Sequence, residues 1–154
     1  MNLTKNFTLV ELCKSETALR FGMANEPGET ELGNLKLLCE AVLQPVRDHF
    51  NRGVKVNSGF RHPLVNAKVG GSSTSDHCQG RAADIEIPGV ANAVLAQYIA
   101  DHLDYKQLIL EFYTPSILDS GWVHVSYDPA NLKKQVLTAT RKDGKTVYLP
   151  GLVA

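Results

Sequence analysis

Apolar side chains recur at three- and four-residue steps between residues 30 and 50. Leu35, Leu38, Val42 and Val46 share one face of a predicted long amphipathic helix. Pro45 lies inside this run and predicts a kink or a division, and Asn51-Arg52-Gly53 predicts its stop. Earlier, Thr8 followed by Glu11 has the form of a capping box opening a short helix through Leu12, with a restart at Ser15 that ends at Gly22. Residues 25–29, with Pro27 and Gly28, read as a loop.

Beyond residue 53 the period changes to two. Val54 and Val56 alternate with Lys55 and Asn57 until Gly59 breaks the strand; residues 63–69 predict one or two helical turns and 70–75 a loop of small residues. Strands are predicted over 82–87, 105–113 and 122–127, with a second long helix over 90–103 whose core face is Val94, Leu95, Tyr98 and Ile99. Asp143-Gly144 predicts a type I′ hairpin between strands 135–140 and 146–149. The sum is a one-domain α+β protein over residues 1–154: a largely antiparallel sheet with helices on one face. Its helical N-terminal part covers about 8–52 and its α+β part about 53–154.

Strand parity assigns the polar side chains. Ala83, Ile85 and Ile87 share one face of their strand and Asp84 and Glu86 the other. Val123, Val125 and Tyr127 oppose Trp122, His124 and Ser126, and Leu108, Leu110 and Phe112 oppose Gln107, Ile109 and Glu111. Should these strands be neighbours, Asp84, Glu86, His124 and Glu111 line one surface, opposite the helices.

The formal net charge is zero, so no strongly basic surface for nucleic acid or anionic membrane is indicated. No stretch approaches the ~18 apolar residues needed to span a bilayer. Three cysteines without paired spacing argue against a disulfide framework. Cys13 and Cys39 fall in helical patterns and read as small core residues, whereas Cys78 sits beside His77 in a polar loop.

A lone strand His or carboxylate is more often a hydrogen-bonded surface group than a ligand. The stretch from Ser75 to Asp84 changes the weighing: a loop His77 precedes a strand Asp84, with Gly80, Ala82 and Ala83 between them permitting close backbone approach. Two His nitrogens and one carboxylate oxygen form a three-ligand zinc set with a fourth position open, the arrangement of catalytic sites.

These residues carry a family resemblance. The pattern Ser-x-His-x-x-Gly-x-Ala-x-Asp runs from Ser75 to Asp84, Ser58-Gly59-Phe60-Arg61 precedes it, and Trp122-Val123-His124-Val125-Ser126 supplies a strand His after it. The chain resembles the zinc D-Ala-D-Ala carboxypeptidases of the hedgehog/DD-peptidase fold and their relatives, which include phage L-alanyl-D-glutamate and DD-endopeptidase endolysins. Asn6 to Leu12 also looks like the opening of the phage and prophage branch. The resemblance implies one Zn²⁺ per chain on His77, Asp84 and His124, with Arg61 reaching the substrate carbonyl or oxyanion. It implies a structural role for Ser75 in the metal loop, and Trp122 is a candidate cleft wall against the substrate peptide. Several relatives carry their catalytic acid three residues before the last His, where this chain has Gly121. In the branch it looks most like, the acid ends a Gln-Leu-Ile-x-Glu segment, matched by Gln107 to Glu111, and parity independently turns Glu111 toward the ligand face. Asp119 is the reserve candidate.

The resulting expectation is a monomeric zinc peptidase cutting peptidoglycan stem peptides or cross-links. Met1 to Phe7 lacks the apolar run of a signal peptide, so cytoplasmic synthesis, with release by a holin or incorporation in a virion, is the expected setting. A non-catalytic zinc-stabilised binding module on the same fold is the alternative. A metal-free hydrolase using Ser75 or Cys78 with His77 is a further rival.

Overall fold

The computed structural model of the chain describes residues 1–153. Thr8 caps α1 (Leu9–Cys13), its Oγ1 accepting from the Glu11 N–H at 3.3 Å, and Ser15 caps α2 (Glu16–Arg20) in the same way through Ala18. The long helical run is one succession of three pieces: α3 (Glu29–Leu38), a π-helical turn (Cys39–Leu43) and α4 (Gln44–Phe50). Pro45 explains the middle piece. It has no N–H and its ring crowds the carbonyl of residue 41, and a widened turn, in which Gln44 N–H reaches Cys39 O, accommodates both. Asn51 ends α4 in the left-handed region, φ 50°.

The sheet follows with β1 (Lys55–Ser58), β2 (Ala82–Glu86), β3 (Gln107–Glu111), β4 (Trp122–Ser126), β5 (Gln135–Lys142) and β6 (Lys145–Pro150). Its order is β1-β2-β4-β3-β5-β6, antiparallel except for the β3–β5 pair. Helix α5 (Pro63–Lys68) and a 3₁₀ turn (Asp76–Gln79) lie between β1 and β2, and α6 (Asn92–His102) between β2 and β3. The β5–β6 hairpin turns at Asp143 and Gly144, both at positive φ, as their sequence predicts.

A single buried cluster joins the helical part to the sheet: Leu35, Leu38, Val42 and Val46 from the helices meet Ala83, Ile85, Leu108, Leu110, Val123 and Val125 from the strands. Helices therefore cover one face, and the alternate residues of β2, β4 and β3 face away from them.

Two local expectations are corrected. Helix α6 starts at Asn92, because Val90 is held in the preceding turn by its N–H to Ile87 O. Its buried face is Leu95, Ala96 and Ile99, and Tyr98 packs half-buried against the same core as expected, while Val94 is 54% exposed. Phe112 does not continue the apolar face of β3. Its φ of 54° swings it out of the strand, and its ring packs at 5.5 Å from that of Trp122.

Candidate metal and catalytic site

The pairing of β2, β4 and β3 places Asp84 opposite His124, and His124 opposite Ile109, with Glu111 opposite Trp122 one row away. Directly opposed residues of antiparallel strands project to the same face. His77 comes from outside the sheet, in the 3₁₀ turn before β2.

Four devices hold that turn. Ser75 Oγ accepts from the His77 N–H at 3.2 Å, and the Arg61 N–H donates to the His77 carbonyl at 3.1 Å. Gly80 ends the turn at φ +71°, where a Cβ would stand 2.5 Å from the Glu31 carbonyl, so only glycine fits. The fourth is an ion pair: Lys106 Nζ grips both carboxylate oxygens of Asp76 at 2.9 and 3.1 Å, tying the turn to the start of β3. Nothing in the spacing of Asp76 and Lys106, thirty residues apart, announces that contact.

His77 Nδ1 lies 2.8 Å from the Gly59 carbonyl. A carbonyl only accepts, so Nδ1 carries the proton and Nε2 presents its lone pair. Asp84 Oδ1 lies 3.5 Å from that Nε2 and 3.0 Å from His124 Nδ1. Both separations are close to the ~3.3 Å edge of a tetrahedron with metal–ligand bonds of ~2.0–2.1 Å. One ligand atom from each of the three residues lies within 4.8 Å of the others. The donor set, two imidazoles and one carboxylate, is that of an open zinc site.

The electrostatics agree with a cation-seeking cluster. Burial alone would raise the Asp84 carboxyl, but hydrogen bonds and charge from His124 and His77 overcome it and hold the group well below the usual carboxylate range. Burial would lower His124; the Asp84 hydrogen bond and the charges of Asp84, Glu111 and Asp76 reverse this, and the net shift is upward.

A cavity of about 410 Å³ opens over these groups, and its lining also includes Arg61, Glu111, Trp122 and Tyr148. Burial raises the Glu111 carboxyl and the Asp84 charge adds to this, against the opposing effects of His124, a Trp122 hydrogen bond and Arg61. Glu86 is not brought to the cavity; Asn57 Nδ2 donates to it at 2.7 Å near the sheet edge. Asp119 is exposed in the turn between β3 and β4, outside the lining.

The model of the Peptidase M15 family matches residues 5–126. The chain belongs to the peptidase M15 family. A search among curated proteins found no match. The M15 match spans His77, Asp84, Glu111 and His124 and ends on the last residue of β4, so the β5–β6 hairpin that brings Tyr148 to the cavity lies beyond it. Membership makes the protein a peptidase by family. Among the described residues, no helix is long and apolar enough to cross a membrane.

Gly121, in the position where several relatives carry an acid, has φ +67°, and a Cβ there would collide with the Glu111 carbonyl oxygen and the Phe112 backbone. The bend that brings the end of β3 beside the start of β4 leaves no room for a side chain at 121.

Proposed function

We propose that the protein is a zinc-dependent peptidase that hydrolyses amide bonds in peptidoglycan stem peptides or their cross-links, of the kind found in the phage endolysin branch. The observation that carries this reading is the convergence of His77, Asp84 and His124 with a raised, half-buried Glu111 in one cavity of an M15 chain.

His77 Nε2, His124 Nδ1 and an Asp84 carboxylate oxygen would hold the ion. Zinc so bound supplies Lewis-acid polarisation of a carbonyl and makes water acidic enough to attack near neutral pH. Glu111 is the general base. Its Oε2 is held by the Trp122 indole, which leaves Oε1 to take the water proton and later deliver it to the departing amine. The Arg61 guanidinium, on the same cavity, stabilises the negative charge that develops on the carbonyl oxygen. Ser75 acts at one remove, by fixing the turn that carries His77. Trp122 orients the base and forms a wall of the cleft.

Digestion of purified peptidoglycan by the zinc-loaded protein, with mass spectrometry of the products, tests the activity and identifies the bond. New amine and carboxylate ends in the stem peptide are expected. Intact muropeptides after prolonged digestion overturn the assignment.

A further inference from the structure

Arg61 lines a second cavity as well as the first. This one also measures about 410 Å³ and follows β1 and the start of α2, with Lys14, Ser15, Lys55 and Ser58 on its walls. The Arg61 Nε is buried and makes no hydrogen bond, and among the described residues neither Arg61, Lys14 nor Lys55 forms an ion pair. Glu16 is the one carboxylate on these walls, against three cations.

The second cavity, which meets the first at Arg61, therefore carries an excess of positive charge. In the first, Asp76 is already paired with Lys106, and Asp84 and Glu111 are the carboxylates a bound cation would face; the second has no metal cation of its own to hold and attracts a substrate carboxylate. Hydrogen-bond donors are in place too. Ser15 Oγ accepts from the Ala18 N–H at 3.1 Å, which leaves its own hydrogen to donate. β1 pairs with β2 alone and is an edge strand, so the backbone groups along its other side have no partner in the sheet for an extended peptide to displace.

We propose that this second cavity is a carboxylate subsite: it takes a free carboxylate of the substrate peptide, on the stretch of chain that leads away from the scissile bond past Arg61. The inference rests on the peptidase reading above and deepens it. Lys14 and Lys55 are its specificity-determining residues, and they make the enzyme selective for stem peptides whose carboxylates are not amidated.

The experiment compares one muropeptide bearing free carboxylates with its amidated counterpart. For the zinc-loaded protein, kcat/KM is expected to favour the free acid by about tenfold, since each exposed ion pair contributes modestly. In the Lys14→Gln/Lys55→Gln double variant that ratio is expected to fall to near one; being taken within one variant, it is insensitive to partial loss of folded protein. Binding gives a second readout. In the zinc-loaded Glu111→Gln protein, the free acid should shift the backbone amide resonances of residues 14–17 and 55–58, and the amidated peptide should not. Equal preference in wild type and double variant, or equal shifts with both peptides, overturns the subsite. Acid-selective shifts without cleavage by the wild type would uphold the subsite and sink the peptidase assignment instead, and cleavage without acid selectivity would do the reverse.

Discussion

The indole N–H of Trp122 donates to Glu111 Oε2 at 2.8 Å, between residues that face each other across β4 and β3. This bond favours the ionised form of a carboxyl that burial drives toward the neutral one. The proposed base works ionised, so the rate should fall as pH drops through the Glu111 pKa, which burial raises from its ordinary value. Trp122→Phe removes the donor and raises that pKa further. The acidic limb of the kcat profile is expected to move to higher pH in the variant, and an unmoved limb would remove Trp122 from any role in tuning the base.

Glu111→Gln keeps the shape of the side chain and loses its basicity. We expect kcat to drop by about 10²–10⁴-fold, with zinc content by elemental analysis unchanged. Adding an acid three residues before His124 should not rescue it. Gly121→Glu places a side chain where φ is +67° and the Glu111 carbonyl fills the space, at a stability cost of about 1–3 kcal/mol. The double variant Glu111→Gln/Gly121→Glu is expected to be inactive with a lowered Tm; recovered activity would show that the bend tolerates the arrangement of the relatives.

On the proposed ligand set, zinc would compete with a proton on His124 but not on Asp84. The His124 pKa is raised, mainly by the Asp84 hydrogen bond acting against burial, while the Asp84 carboxyl stays ionised far below neutrality. Apparent zinc affinity should therefore climb with pH through the His124 titration and level off above it, with proton release measurable by calorimetry in buffers of different ionisation enthalpy. At free zinc near 1,000 times Kd the folded state gains about 4 kcal/mol, a Tm increase of roughly 8–16 °C for a chain this long. A chelator should reverse the increase and His77→Ala should abolish it.

The cysteines should be dispensable. Burial pushes the Cys39 thiol up to about 12, with Glu11 and Glu40 adding to it, and Cys13 up to about 11. At pH 8 roughly one Cys13 thiol in a thousand is ionised, so both should resist alkylation in the folded protein. Cys78 is more accessible, yet the neighbouring His77 is committed through Nδ1 to Gly59 and cannot serve it as a base from that atom. Cys78→Ala is expected to retain at least half of the wild-type activity, measured on the same peptidoglycan digest. Loss of cleavage with zinc still bound would revive a thiol mechanism.

Much of this molecule is legible as periodicity, since period-two and period-3.6 patterns act locally. The alternation in β2, β3 and β4 is enough to put Asp84, His124 and Glu111 on the face away from the helices, because each side chain's face follows from its own strand's pleat. The stretch from Ser75 to Asp84 offers its candidate ligands because the turn that carries His77 is closed by residues within it, Ser75 and Gly80. What local pattern does not contain is the order of the strands. β4 lies between β2 and β3, although β3 precedes it in the chain, and that exchange alone brings His124 beside Asp84 on one side and Trp122 beside Glu111 on the other. The same holds for Lys106 on Asp76, for the exclusion of any side chain at 121, and for Tyr148 on the cavity wall. Each is a contact between different segments of the chain, so its partner is chosen by how the strands and their turns pack together. The side chains and the faces they occupy were thus determined by the sequence read locally; which of them meet, and at what distance, was decided only when the tertiary structure brought the strands together.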